Sequence, residues 1–133
     1  MALTFYNLDE VLEEQYEYAV IAARYKDKWI FVKNKKRSWE LPGGRREVNE
    51  TIDACAKREL YEETGAIDFE LFPVSAYFID TFGKLYYAKI KTLGPLPDFE
   101  IETLAYFDDL PIELSFPQFH PAHLEKVKSS IGI

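Results

Sequence analysis

The sequence predicts an α/β protein, a mixed β-sheet sandwiched between helices. Two patterns predict it. Apolar, β-prone runs lie on both sides of one central helical segment, and a second helical segment closes the chain. In chain order, Glu17–Tyr25 is apolar and β-prone and reads as a buried strand. Lys26-Asp27-Lys28 reads as a turn, and Trp29–Lys33 as the second arm of a hairpin. Asn34–Ser38 is a basic loop, and Trp39–Gly44 a short extended piece ending in a Pro-Gly-Gly turn. The glycines there give backbone freedom and allow close approach to a ligand.

The central helix starts near Thr51, a good N-cap, and stops at Gly65, a natural C-cap. Phe69–Ile79 reads as a strand with an interruption at Pro73. Lys84–Thr92 follows as its hairpin partner through Phe82-Gly83. Leu93–Asp98 is a Pro/Gly loop, and Thr103–Phe107 the last strand. His120-Pro121 opens the final helix, which runs to about Ser129 with Pro121 at its first helical position.

At 133 residues the chain is expected to form one domain, with no repeat, linker or low-complexity tract. Apolar residues make up 47% and aromatics 16%, which excludes a disordered chain. No apolar run approaches the roughly 20 residues needed to span a membrane. The N-terminus, Met1–Tyr6, shows no secretory pattern. A single cysteine, Cys55, excludes an internal disulfide, reads as a small core residue and fits a reducing compartment, so a cytoplasmic location is expected. The net charge of −7 argues against polymeric nucleic acid, whose affinity comes from Lys and Arg contacts to phosphate. It does not exclude a small phosphorylated ligand, because a bound cation reverses the local field. A monomer and a homodimer are both compatible with the sequence.

The central helix carries the chemistry. At about 100° per residue, Ile52, Cys55 and Ala56 lie on one stripe, and Glu59, Glu62 and Glu63 continue it. An ordinary amphipathic helix keeps its buried stripe apolar, so the switch to carboxylates marks a functional place. Three like charges at i, i+3 and i+4 repel. A hard divalent cation turns that repulsion into a binding site that still has room for phosphate oxygens. A Glu-rich face alone reads as solvated surface; the turn just before the helix weighs against that here.

Gly44, Glu50, Arg58, Glu59, Leu60, Glu62, Glu63 and Gly65 fall without a gap on the signature G-x(5)-E-x(7)-R-E-U-x-E-E-x-G-U of the Nudix hydrolases. At residue frequencies of roughly 5–9%, the exact identities arise by chance on the order of once in 10⁸ start positions. The departure is Ala66 at the final aliphatic place, followed by Ile67. The chain resembles that family over the box, Gly44–Ala66, and more weakly over most of its length. The resemblance implies the Nudix α/β/α sandwich, which agrees with the reading above.

It further implies a Mg²⁺-dependent pyrophosphohydrolase, with Mn²⁺ as the other candidate metal. Glu62, Glu63 and the Gly43 carbonyl would be ligands, and Glu59 a ligand or the general base. Glu50 would be the outer acid that holds Arg58, which lies four residues before Glu62 and can orient it. A further acid before the last strand is counted to Glu100, as ligand or base, with Glu102 and Asp98 competing. Lys33, Arg45 and Arg46 resemble basic phosphate contacts, and Phe119 lies where family members read the base. His120 and His123 read as capping or pocket-lining groups.

By resemblance the substrate is a nucleoside diphosphate-linked compound, and the MutT-like, undecorated domain favours a nucleoside triphosphate, with an oxidised one such as 8-oxo-dGTP included. The products would be the monophosphate and pyrophosphate. ADP-ribose, nucleotide sugars and dinucleoside polyphosphates are the alternatives. Diagnostic residues for ADP-ribose and dinucleoside polyphosphates fall near Thr81–Lys84, where neither occurs. A Nudix-fold module that senses a nucleotide without cleaving it is the non-enzymatic reading, disfavoured because every box acid is present.

Overall fold

The sheet is built on β2 (Tyr16–Tyr25), which pairs with β3 (Lys28–Asn34), β5 (Gly43–Arg45) and β7 (Thr81–Leu93). The computed structural model describes residues 2–133. Among them the remaining strands and α-helices are β1 (Thr4–Tyr6), β4 (Trp39–Glu40), α1 (Ile52–Thr64), β6 (Ala66–Ile79), β8 (Ile101–Phe107) and α2 (His120–Ile131). The strands form one eight-stranded sheet in the order β1-β6-β7-β2-β3-β4, with β5 added on β2 and β8 on β3. The β2–β7 pair is parallel and the other strand pairs are antiparallel, so the sheet is mixed. No described helix is long and apolar enough to cross a membrane.

The alternation of β2 divides the core. Ala19, Ile21 and Ala23 face one side, where Ile52, Cys55, Ala56 and Leu60 of α1 cover them. Val20 and Ala22 face the other, against Leu124 and Val127 of α2. Helices on both faces of one mixed sheet give the expected α/β sandwich.

Local chemistry sets the ends of α1. Thr51 Oγ1 accepts from the Ala54 N–H at 3.1 Å. Gly65 takes the left-handed conformation, φ 78°, and its N–H closes on the Tyr61 carbonyl at 2.8 Å.

Several boundaries differ from the sequence reading. The first turn is only Lys26-Asp27, with φ of 50° and 65°; Lys28 already belongs to β3. Two consecutive left-handed residues match the twist of a two-residue hairpin. β6 is not interrupted at Pro73. A register irregularity between Pro73 and Ser75 absorbs the missing donor as a bulge. The β6–β7 turn lies at Asp80, φ 66°, not at Phe82-Gly83. Gly83 is instead a strand residue opposite Tyr77, whose ring fills the space a side chain would need. β8 begins at Ile101 rather than Thr103, and α2 starts with His120, leaving Pro121 second. β1 and β5 were not anticipated; both are too short to show a period.

Leu60 is fully buried under the sheet, whereas its neighbour Tyr61 is 48% exposed. Leu60→Ala should destabilise by about 2–5 kcal/mol. Tyr61→Ala should stay within about 0.5 kcal/mol. Urea denaturation of both variants checks the facing of α1.

Candidate active site

The last two turns of α1 lie beside β5, close enough that Gly44 has no room for a side chain: a Cβ there would meet the carboxylate of Glu59. Arg58 organises the acids around this contact. Its Nε and Nη2 donate to the two oxygens of Glu50 at 2.6 and 2.9 Å, a bidentate pair. Nη1 donates to Glu59 Oε1 at 2.6 Å and to Glu62 Oε1 at 3.4 Å. Nη2 also reaches the Arg45 carbonyl at 3.0 Å. One guanidinium therefore ties the loop before α1, strand β5 and two acids of the helix. Glu63 points the other way, where its Oε1 accepts from the Gly43 N–H at 2.9 Å.

The surroundings separate the carboxyls electrostatically. The hydrogen bonds from Arg58 pull Glu50 down to about 2. Burial pushes Glu63 up to about 8 against its Gly43 N–H bond, and the charges of Glu59, Glu40 and Glu100 add to the rise. Glu59 is raised by burial as well, with Arg58 opposing and Glu62 and Glu100 reinforcing. Burial also pushes the Cys55 thiol up to about 12, so it is an inert packing group.

Among the described residues, no group of three Asp, Glu, His or Cys side chains is arranged tightly enough to enclose a cation. The donor set nevertheless fits one. Glu59 and Glu62 each give one oxygen to Arg58, Glu63 gives one to Gly43, and each keeps a second oxygen outside those bonds. Carboxylate oxygens in this number suit a hard cation whose shell is completed by water and ligand phosphate.

The remaining expected residues are placed unevenly. Glu100 immediately precedes β8 and is exposed, and its negative charge adds to the upward shifts of Glu59 and Glu63. Arg45 is exposed beside Glu17, at 3.7 Å, and borders an aromatic-lined cavity. Phe119 lines the same cavity. Arg46 is not brought there. Its guanidinium is committed to the Glu13 carboxylate and to the Glu13 and Glu14 carbonyls, all at 3.1 Å. Lys33 is also directed elsewhere, with its ammonium 5.6 Å from the centre of the Trp39 ring.

That cavity has a volume of about 390 Å³ and adjoins the acids through Gly43. Tyr18, Tyr77, Phe116, Phe119, His120 and His123 supply an aromatic lining, and Glu40 a carboxyl. Glu40 was missed in the sequence. It is buried, which raises its pKa; Arg37 Nη2 holds Oε1 at 3.2 Å, and Oε2 has no partner. The Ser115 hydroxyl lies near enough to favour the ionised form but makes no hydrogen bond within normal distance. The available signal was a lone acid inside the apolar piece Trp39-Glu40-Leu41-Pro42. His120 and His123 are both buried, with Nδ1 atoms 3.3 Å apart, and burial pushes them down to about 4 and about 3.

A family model described as NUDIX domain matches residues 11–110. The Bacillus subtilis (strain 168) protein named "Putative 8-oxo-dGTP diphosphatase YtkD" is 30% identical over 115 residues, covering 80% of this chain and 72% of that protein. The fold is shared with a mutant of the Bacillus subtilis pyrophosphohydrolase BsRppH, with TM-score 0.82, 24% identity, and coverage of 96% of this chain and 90% of that one. An ADP-ribose pyrophosphatase from Streptococcus suis has TM-score 0.63 and 19% identity, with 85% and 91% covered.

The elevated Glu63 has a consequence for stability. A carboxyl whose folded pKa lies above its unfolded value stabilises the fold below about pH 4.5, and that contribution is lost as pH rises toward about 8. The Glu50 contribution has the opposite sign and is already complete above about pH 5. Below about pH 6.5 the buried, neutral His120 and His123 oppose this slope, because they bind protons only in the unfolded chain. With divalent ions chelated, Tm should therefore fall between about pH 7 and 8, and Glu63→Gln should flatten that slope. Calorimetry across that range checks it; equal slopes in both proteins would remove Glu63 as the cause.

Proposed function

The chain belongs to the NUDIX family of pyrophosphohydrolases, and we propose that it cleaves a nucleoside triphosphate to the monophosphate and pyrophosphate, using Mg²⁺. The observation that carries this reading is the position of Gly43, shared between the acid cluster and the aromatic cavity. A base held against Phe116 and Phe119 would place its phosphates over Glu59, Glu62 and Glu63. The relative named for 8-oxo-dGTP supports the triphosphate class and makes an oxidised purine nucleotide a candidate. The substrates named for the other structural neighbours are said of proteins below 25% identity and support the fold alone.

Glu59, Glu62, Glu63 and the Gly43 carbonyl would hold the cation, which supplies charge neutralisation on the phosphates and a more acidic water. Arg58 acts at one remove, fixing the orientation of Glu59 and Glu62 while Glu50 fixes Arg58. Glu100 is the acid we assign to proton removal from the attacking water. It has no hydrogen bond or ion pair among the described residues, it is exposed to water, and it lies near Glu59 and Glu63. Glu59 is its competitor. A second cavity, lined by Lys35, Lys36, Arg37, Phe99 and Glu100, would receive the leaving pyrophosphate.

Pyrophosphate release should be measured with Mg²⁺ over natural and oxidised triphosphates, ADP-ribose, nucleotide sugars and dinucleoside polyphosphates. Triphosphates should turn over fastest, chelation should abolish turnover, and Glu63→Gln should lower kcat/KM by at least about 10²-fold. Nucleotide binding with no turnover of any substrate would instead support a sensing module. Glu100→Gln should lower kcat by about 10²–10⁴-fold with little change in KM. Such a loss in Glu59→Gln alone would transfer the role of base to Glu59.

A further inference from the structure

The two histidines of α2 lie outside the acid cluster, and their geometry restricts where their protons sit. Both rings are buried and neutral, and their Nδ1 atoms face each other at 3.3 Å, a distance that shares one proton. Two arrangements satisfy the contact. In one, His123 Nδ1–H donates to His120 Nδ1, so His123 Nε2 carries a bare lone pair and His120 carries its hydrogen on Nε2. In the other, His120 donates, and His123 must then carry its hydrogen on Nε2.

The surroundings of His123 decide between them. Its Nε2 is sealed from solvent without a hydrogen-bond partner, and the ring packs edge-on with Tyr77 and Phe5 at centroid distances of 4.7 and 6.3 Å. A buried N–H without an acceptor is rarer and costlier than a buried acceptor without a donor. An N–H contact with the Tyr77 ring recovers only a small part of that loss. The first arrangement is favoured. Both residues border the cavity, but His120 differs from His123 in that its Nε2 is not among the sealed, partnerless atoms.

We propose that the His120–His123 pair is a tautomer-locked reader of the nucleobase, in which His123 fixes His120 as an Nε2–H donor to a carbonyl oxygen of a 6-oxopurine. His123 is a positioning residue and His120 the contact. Adenine offers no carbonyl to such a donor. This inference rests on the reading of the aromatic cavity as the site of the base.

The test is the long-range ¹H–¹⁵N imidazole spectrum of the full chain, free and titrated with GMP, AMP or inorganic pyrophosphate. The free protein should show His123 protonated at Nδ1 and His120 at Nε2, and GMP should shift the His120 Nε2–H resonance more than AMP or pyrophosphate does. His120 protonated at Nδ1 would overturn the proposal, and so would equal shifts with pyrophosphate. His123→Phe, which frees the His120 tautomer, should reduce the preference for GMP over AMP about fivefold to tenfold. An unchanged preference would overturn the positioning role. Triphosphate turnover with the reverse tautomer would keep the hydrolase and remove this reader, so the two readings fail separately.

Discussion

The site depends on one guanidinium. Three carboxylates within five residues of one helix repel each other and the fourth acid in the preceding loop, yet Arg58 joins Glu50, Glu59 and Glu62 with hydrogen bonds of 2.6 to 3.4 Å. A Lys could balance the charge but could not hold Glu50 with two parallel donors while reaching Glu59 and the Arg45 carbonyl. The pairing is partly buried, with Arg58 at 23% and Glu50 at 14% exposure, so leaving either partner alone is costly. The value of the cluster lies less in net stability than in holding the loop, strand β5 and helix α1 in a single register. Glu63, excluded from Arg58, is left for the backbone of Gly43.

Strand β2 imposes the second constraint. It carries β5 on one part of its edge and β3 on another, and its Ile21 N–H donates to the Pro42 carbonyl at 2.8 Å. Pro42 and β5 are thus pinned to the middle of the sheet, Gly43 and Gly44 being strand residues rather than the expected turn, with the acids on the α1 side and the aromatic cavity approached from the α2 side. A one-residue slip would exchange Ile21 and Val20 between the two cores, so register and site geometry are specified together.

The acid helix and its ends were legible because they break a rule: an apolar stripe that turns acidic between Thr51 and Gly65 has no packing reason. The long strands were legible from their apolar runs. The hairpin apex was not, because Asp80 takes a left-handed conformation usually given to glycine, while Gly83 is used to accommodate the Tyr77 ring. Arg46 was misleading for a physical reason. A basic residue near a phosphate site in sequence is free to bind phosphate only if no anionic partner is nearer. Arg46 meets Glu13, whose Oε2 also accepts from the Ile52 N–H at the start of α1. His120 and His123 are three residues apart on α2, and Glu40 is three residues from Arg37, so their spacing was in the sequence; what no local pattern encodes is the burial that brings them to the cavity.

The charge balance links these parts. Glu63 is raised first by burial and further by the negative charges of Glu59, Glu40 and Glu100, so additional negative charge beside Gly43 is unfavourable. A nucleoside triphosphate brings more negative charge into that field. A cation relieves both the acids and the phosphates, so each of cation and nucleotide binds better with the other present, by the same factor in both directions. Base recognition follows a different logic. Neutral histidines and aromatic rings contribute no field, so they can discriminate by hydrogen-bond direction and shape without disturbing the charges over the acids. On the proposed function, separation of the two chemistries by the Pro42–Gly44 backbone would let the acid cluster serve the phosphate groups common to all nucleotides while the cavity distinguishes one base from another.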